Sequence, residues 1–338
     1  MKKIAIALCL LMFAIAQPAM ASPKRWVVEG WKTDFSKFNI KFEEILSGGP
    51  PRDGIPSIDA PKFEPASANT TLDAKEAVIR LEIDGIVRAY PLRILMWHEI
   101  ANDVIGDTPV AVTYCPLCNS SIAFDRQLPD GSIAEFGVSG LLRNSDMVMY
   151  DRASHSWWQQ FTGTGIAGKY TDTKLKMIPT KVVSFGQFLA ENPEGDVLVP
   201  NDPSMRRYGT NPYLGYDSRQ APYPFYKGDL PDNISPMARV IVVQREEDKV
   251  VAVALSHLRT SGSLEIDNIR LNWQPGVNSA LDSEDLAIGA DVGAVEVESI
   301  SPGEPLVHDI TFAFVVQAFH PGTTIATEEG PIVVGKLP

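Results

Sequence analysis

The sequence predicts an α+β fold of mainly antiparallel strands with few short helices and a weak internal repeat. Three observations carry this. Val78-Ile-Arg-Leu-Glu-Ile-Asp84-Gly85-Ile-Val-Arg-Ala-Tyr90 is two alternating runs around Asp-Gly, the signature of a β-hairpin. Val240 to Leu255 repeats the order of strand, charged turn and strand, then a leucine entering a short helix at Ser256-His257-Leu258. Nothing alternates strands with long helical periods, so parallel βαβ units are not expected.

Taken in order, Lys2 and Lys3 form a basic start, Ile4 to Ala16 an apolar stretch holding Cys9, and Ala19-Met20-Ala21 before Ser22 an A-x-A cleavage pattern. Residues 1–21 therefore read as a secretory signal, which places the mature chain in the periplasm or outside the cell. No later stretch reaches the roughly 20 apolar residues of a membrane span. Loss of the two lysines would take the formal charge from −12 to −14, and no basic run exceeds Arg206-Arg207, which argues against nucleic acid as a partner.

Residues 22–75 are rich in Pro and Gly around Gly48-Gly-Pro-Pro-Arg52-Asp-Gly-Ile-Pro56 and should wrap the outside of a core. An α+β domain follows at 76–236 and a β-rich subdomain at 237–338. Within the first, Pro91 suits a first helical turn, so Leu92 to Asp103 reads as a helix ended near Gly106. Pro109 to Tyr114 is a β-branched strand. Ile122 to Arg126 and Ile133 to Val138 read as a hairpin about Leu128-Pro-Asp-Gly131. Gly163-Thr-Gly165-Ile-Ala-Gly168 has dinucleotide-loop spacing without a clear preceding strand, and reads as a plain loop. Ser184 to Asn192 is a short helix, and 200–236 a Pro/Tyr/Asp-rich connection whose aromatics pack on the core surface. In the second part, Ile269 to Trp273 and Ala294 to Glu298 are strands.

Beyond Cys9 the chain has two cysteines, Cys115-Pro-Leu-Cys118, at the end of the Pro109 strand. One pair of thiols cannot staple a fold of this size, so the 44% apolar composition must build the core. Three readings of the pair stay open. Thiol exchange wants a helix N-terminus to stabilise thiolate, and the strand-like segment after Cys118 does not supply one. Two thiolates in a turn suit Cu(I) or Zn, although no second Cys-x-x-Cys completes a four-thiolate site. The third reading is a structural disulfide.

Near the pair in sequence, His98 lies in His-Glu-x-x-Asn, which lacks the second histidine of a zinc protease. A lone histidine on an apolar helix is usually a hydrogen-bonded core residue, but a tight turn at Gly106-Asp107 could bring His98 to the thiols as base, cation or metal ligand. Met147 and Met149 share one face of a strand. Core packing is the ordinary reading, and Met149 the candidate thioether for Cu(I). Arg143 and Asp146 flank Asn144-Ser145 in a polar loop that either turns at the surface or lines a cleft.

Several blocks resemble a bacterial family of exported proteins of unknown function: Gly49-Pro-Pro-Arg-Asp-Gly-Ile-Pro, Trp97-His-Glu-Ile-Ala-Asn-Asp, Val112-Thr-Tyr-Cys-Pro-Leu-Cys, Phe136-Gly-Val-Ser-Gly-Leu-Leu-Arg-Asn-Ser-Asp and Met149-Tyr-Asp-Arg. The likeness spans about residues 40 to 260. It implies that His98, Glu99, Asn102, Tyr114, Cys115, Cys118, Arg143, Asn144, Ser145, Asp146, Met149 and Asp151 hold signature positions, and it implies no activity.

The expectation is a periplasmic protein with a thiol site at Cys115 and Cys118, joined by His98, Arg143 and Asp146, acting in thiol redox chemistry or in soft-metal binding. Copper would be held by Cys115, Cys118, His98 and Met149. Its partner would be a small molecule, a metal or another periplasmic protein. The alternative is a non-catalytic envelope module with a structural Cys115–Cys118 disulfide. A remoter analogy is an enzyme that uses two thiols and Asp146 to cleave a metal–carbon bond.

Overall fold

The structure, a computed structural model, describes residues 23–245, 249–301, 303 and 305–335; the leader expected at 1–21 lies outside them. Strands, mostly antiparallel, dominate the described residues, and the α-helices are six or seven residues long. Helix α1 (Pro23–Val28) and strands β1 (Ile45–Ser47) and β2 (Lys62–Pro65) come from the Pro/Gly-rich segment. There follow β3 (Ala77–Ile83), β4 (Ile86–Pro91), α2 (Leu92–His98), β5 (Ile100–Ile105), β6 (Thr108–Cys115) and β7 (Ser120–Asp125). An excursion then makes β8 (Phe136–Arg143), β9 (Asp146–Asp151), β10 (Trp157–Gln159), β11 (Thr164–Ala167) and β12 (Met177–Ile178) before β13 (Thr180–Ser184), α3 (Phe185–Glu191) and β14 (Asp196–Val199). The last part is β15 (Arg239–Gln244), β16 (Val250–Ala254), α4 (Leu255–Ser261), β17 (Ser263–Ile266), β18 (Ile269–Gln274), β19 (Ala294–Ser299), β20 (His308–Phe312), α5 (Ala313–Phe319), β21 (Thr323–Ala326) and β22 (Ile332–Val334).

These strands form five sheets set like blades in a propeller-like ring. The repeat glimpsed in sequence extends over most of a unit, with only the edge strand supplied from opposite ends of the chain, β2 before its copy and β22 after. One sheet runs β13-β3-β4-β14-β2 and another β20-β15-β16-β21-β22. In each, the first three strands are antiparallel, the fourth lies parallel to the third, and the edge strand is antiparallel again. The meanders β5-β6-β7 and β17-β18-β19 also correspond. α2 and α4 match in length and in the backbone angles of the residue before them, φ −63 and ψ 132 at both Pro91 and Ala254. The first copy alone carries the excursion, which with β1 forms the sheet β1-β8-β9-β10-β11.

Local sequence explains the turns. Asp84-Gly85, Asn144-Ser145 and Asp267-Asn268 each have positive φ at both residues, the two-residue hairpin geometry whose twist matches the strands. Four expectations need correction. The helix expected to reach Asp103 stops at His98, because Glu99 takes φ +58 and the chain turns back as β5. The hairpin expected across Leu128–Gly131 is reduced to one bridge, Gln127 to Ile133. β7 already has β6 and β12 on its two edges, so β8 starts a new sheet. Thr164–Ala167 is a strand and not a loop, paired with β10. Finally, β13-α3-β14 and β20-α5-β21 are parallel crossovers spanning two intervening strands; helices of seven residues were too short to announce them.

The main core joins both copies, running from Ile79 and Val112 through Met149 and Trp158 to Phe312 and Phe314. The wrapping segment covers the other face of the excursion sheet, where Trp26 meets Trp157 edge-on at 4.7 Å. Its Gly48 N–H donates to the Gly140 carbonyl at 2.8 Å and its Asp53 Oδ2 accepts from the Tyr150 hydroxyl at 2.5 Å.

Candidate functional site

β6 delivers Cys115 to a turn that β7 leaves at Ser120, so the thiols sit between two paired strands. Cys118 N–H donates to the Cys115 carbonyl at 3.2 Å, and Asn119, at φ +52, closes the turn. No helix follows Cys118, so no helix dipole favours a thiolate. Burial pushes both thiols up: Cys115 above its ordinary value, against a hydrogen bond with Cys118, and Cys118 well above it. Both are free and buried.

The excursion brings in a third group. Asp146 begins β9, directly after the Asn144-Ser145 turn, and is fully buried. Its carboxylate and the two sulfurs lie within 4.8 Å of one another. Oδ2 accepts from Gln159 Nε2 at 2.5 Å and from the Phe161 N–H at 2.9 Å. Oδ1 is buried with no donor, and the two thiols are neighbours of the carboxyl. Desolvation raises Asp146 to about 6, against the hydrogen bonds from Phe161 and Gln159.

Two more acids face the same interior. Burial raises Glu99 to about 8, with the charge of Asp146 adding to it. Asp309 on β20 rises to about 7 by burial, opposed by the Ser121 N–H that donates to its Oδ1 at 2.9 Å. Tyr213 and Tyr216 lie beside the thiols, and burial raises both phenols. The fully buried Tyr216 donates from its hydroxyl to the Leu117 carbonyl at 2.9 Å, so the 200–236 connection lies over the thiol turn.

Of the residues expected at the site, Cys115, Cys118 and Asp146 come together. Arg143 stands one step behind: Nε donates to Glu44 at 2.7 Å and Nη1 to Gln159 Oε1 at 3.3 Å, and Gln159 holds Asp146. His98 has both ring nitrogens engaged, Nδ1 with the Pro56 carbonyl and Nε2 with the Tyr208 hydroxyl, each at 2.7 Å. Its burial lowers its pKa. Met149 packs in the main core, opposite Val138 and Trp158 in the ladders. Sequence reasoning gave no site role to Gln159, Asp309, Thr311, Tyr213 or Tyr216. The alternation in His308-Asp-Ile-Thr-Phe312 resembles a strand with a solvent face, and only the docking of the two copies turns that face inward.

What the arrangement can do follows from its donors. Two sulfurs and a carboxylate oxygen are a set that a thiophilic ion accepts, with metal–sulfur distances near 2.3 Å and metal–oxygen distances of about 2.0–2.2 Å. Tetrahedral coordination at those lengths puts the sulfurs about 3.7 Å apart, inside the 4.8 Å within which the three ligand atoms lie. No curated protein and no solved structure matches the chain. A family model described as a protein of unknown function (DUF3179) matches residues 52–323, which takes in both copies and the whole cluster around Cys115, and the chain belongs to that family.

Proposed function

We propose that the protein binds one thiophilic metal ion at Cys115, Cys118 and Asp146, and that it does so in the cell envelope. The observation that carries this reading is the convergence of two thiols and a carboxylate oxygen of Asp146 within 4.8 Å, all buried, in a residue whose Oδ1 receives no donor. Buried acids without a cation are unfavourable, and an ion that takes their protons' place removes that penalty. Raised thiols and the missing helix argue against a nucleophilic thiolate in the metal-free protein, so thiol exchange is the weaker reading.

Charge selects among ions. With both thiols and Asp146 deprotonated, a dication leaves one net negative charge in the interior and Cu(I) leaves two. The carboxylate ligand also favours zinc over copper(I). Zinc is therefore the favoured occupant, in place of the copper expected from sequence, and His98 and Met149 fall outside the ligand set. Placement in the envelope rests on the leader-like segment from Lys2 to Ala21.

The test is metal analysis of protein purified without oxygen, beside Cys115→Ser, Cys118→Ser and Asp146→Ala. About one ion per chain is expected in the parent and far less in each variant. A reduced parent that neither retains a metal nor takes up added Zn²⁺ or Cu⁺ would overturn the reading. A parent isolated with a Cys115–Cys118 disulfide that resists mild reductant would instead support the structural bond.

A further inference from the structure

The C-terminal copy carries no thiol, yet its strand β20 grips the thiol turn. Thr311 Oγ1 donates to the Cys118 carbonyl at 2.8 Å, Asn119 Nδ2 donates to the Ile310 carbonyl at 2.8 Å, and the Ser121 N–H donates to Asp309 Oδ1 at 2.9 Å. Thr311 is fully buried, and Asn119 and Asp309 are nearly so.

The duplication shows what these positions hold when there is no thiol turn to serve. β13 and β20 are equivalent strands, each ending where its helix begins, at Ser184 and at Phe312. Counting back along both strands, Thr311 is the mate of Val183 and Asp309 the mate of Lys181. The reciprocal contact exists, since Lys181 pairs with Glu296 on β19, but there no buried hydroxyl or carboxylate reaches a turn. Valine and threonine have the same shape, so the fold tolerates valine at this place, and a buried hydroxyl is unfavourable unless it is bonded. The Thr311 bond is spent on the carbonyl of a metal donor, which fixes the peptide plane from which the Cys118 sulfur projects.

We infer that Thr311 is a positioning residue for the metal site, supplied by the second copy to hold the thiol turn in its binding shape. This rests on the reading of Cys115, Cys118 and Asp146 as the ligands. Partners one shell out from a metal ligand set affinity strongly, and losing one commonly weakens binding by about 10–100-fold.

The test compares full-length Thr311→Val, Thr311→Ser and Asn119→Gly with the parent, by Zn²⁺ competition against a chromophoric chelator and by the thiolate-to-metal absorption band with Co²⁺. Thr311→Val places the mate's own residue and should fold, binding Zn²⁺ about tenfold or more weakly with a shifted Co²⁺ band. Thr311→Ser keeps the hydroxyl and should return to within about threefold of the parent. Asn119→Gly keeps the left-handed turn, loses the bond to Ile310 and should weaken Zn²⁺ in the same direction, so the inference stays testable if the valine variant misfolds. Thr311→Val and Asn119→Gly binding as tightly as the parent, while Cys118→Ser does not bind, would overturn the positioning role and leave the ligand reading standing. A parent that takes up no Zn²⁺ would overturn both.

Discussion

Glu99 in the first copy occupies the place that Gly262 occupies in the second. Each caps its helix with positive φ, +58 and +73, donates its N–H to a leucine carbonyl, Leu95 or Leu258, and accepts from the N–H of Tyr114 or Trp273, in both cases at 2.8 Å. Glycine is at ease there, and a non-glycine residue in the left-handed region costs about 1–2 kcal/mol. A strained, buried glutamate where the fold accepts glycine is a residue kept for something other than stability. Metal-free Glu99→Gly is therefore expected to match or exceed the parent in thermal unfolding at pH 7.5. A loss beyond about 2 kcal/mol would show that the side chain is needed as packing.

Three buried carboxyls near the thiols drive stability of the metal-free protein down as pH rises, against the smaller opposite pull of the buried His98 and His308, whose values burial lowers. Unfolded, the carboxyls titrate near pH 4; folded, burial holds Asp146 at about 6, Asp309 at about 7 and Glu99 at about 8. Between those limits the unfolded chain releases protons that the native state keeps, so stability falls as pH rises from about 4 to 8. Denaturant midpoints across that range should decline, and Glu99→Gln should flatten the part between pH 6 and 8. A stability that instead rises with pH over this window would contradict the burial of these acids.

Metal uptake should run the other way. The two thiols bind as thiolates, and burial keeps both protonated in the free protein, so binding must expel their protons. Apparent Zn²⁺ affinity is expected to rise by about a hundredfold per pH unit between about pH 6 and neutrality, the slope for two protons, and more steeply below about 6, where Asp146 also gives up a proton. Zinc held at a hundredfold excess over its dissociation constant should add about 2.7 kcal/mol to stability, and chelation should remove it. Calorimetry in buffers of different ionisation enthalpy counts the protons directly.

Gln159 links Arg143 to Asp146, so the order of effects along that chain is predictable. Gln159→Leu removes the donor to Asp146 Oδ2 and leaves only the Phe161 N–H. It should destabilise by about 1–3 kcal/mol and weaken metal binding by about tenfold. Arg143→Met acts one step away, through a bond of 3.3 Å, and should weaken metal binding less than Gln159→Leu does. Equal effects would place the Arg143 guanidinium closer to the ion than its hydrogen bonds do.

The wrapping segment is locked to the excursion sheet at a glycine. Gly140 has φ +74, and a Cβ there would lie 2.1 Å from the Pro50 carbonyl oxygen, which is backbone and cannot swing aside. Gly140→Ala should therefore destabilise by at least about 2 kcal/mol and raise proteolysis within 48–56. Susceptibility equal to the parent's would show that the segment is held elsewhere.

Much of this architecture was legible where the signal is local. Asp84-Gly85 announced its hairpin because both φ values must be positive, and Ser184 announced α3 by capping it through Gln187 N. The grouping of Cys115 and Cys118 with Asp146 was also within reach of the sequence, since the two-residue Asn144-Ser145 turn returns the chain to a strand beginning at the carboxylate. What stayed hidden depends on distance along the chain. Thr311 and Gln159 look like ordinary strand residues until docking places them against Cys118 and Asp146. A tight turn at Gly106-Asp107 is what pointed His98 toward the thiols; with the helix ended at Glu99, the imidazole meets Pro56 and Tyr208 instead.

The span of the Thr311 to Cys118 bond, 193 residues, also fixes an order of events. A chain emerging from its N-terminus presents both thiols long before the strand that grips their turn exists. Cys115 and Cys118 therefore pass through a period in which each is open to oxidants and to stray metal ions, and docking of the C-terminal copy closes it. Residues near 311 close the turn that carries the proposed ligands, and a protein stalled before them would leave its two sulfurs without that cover.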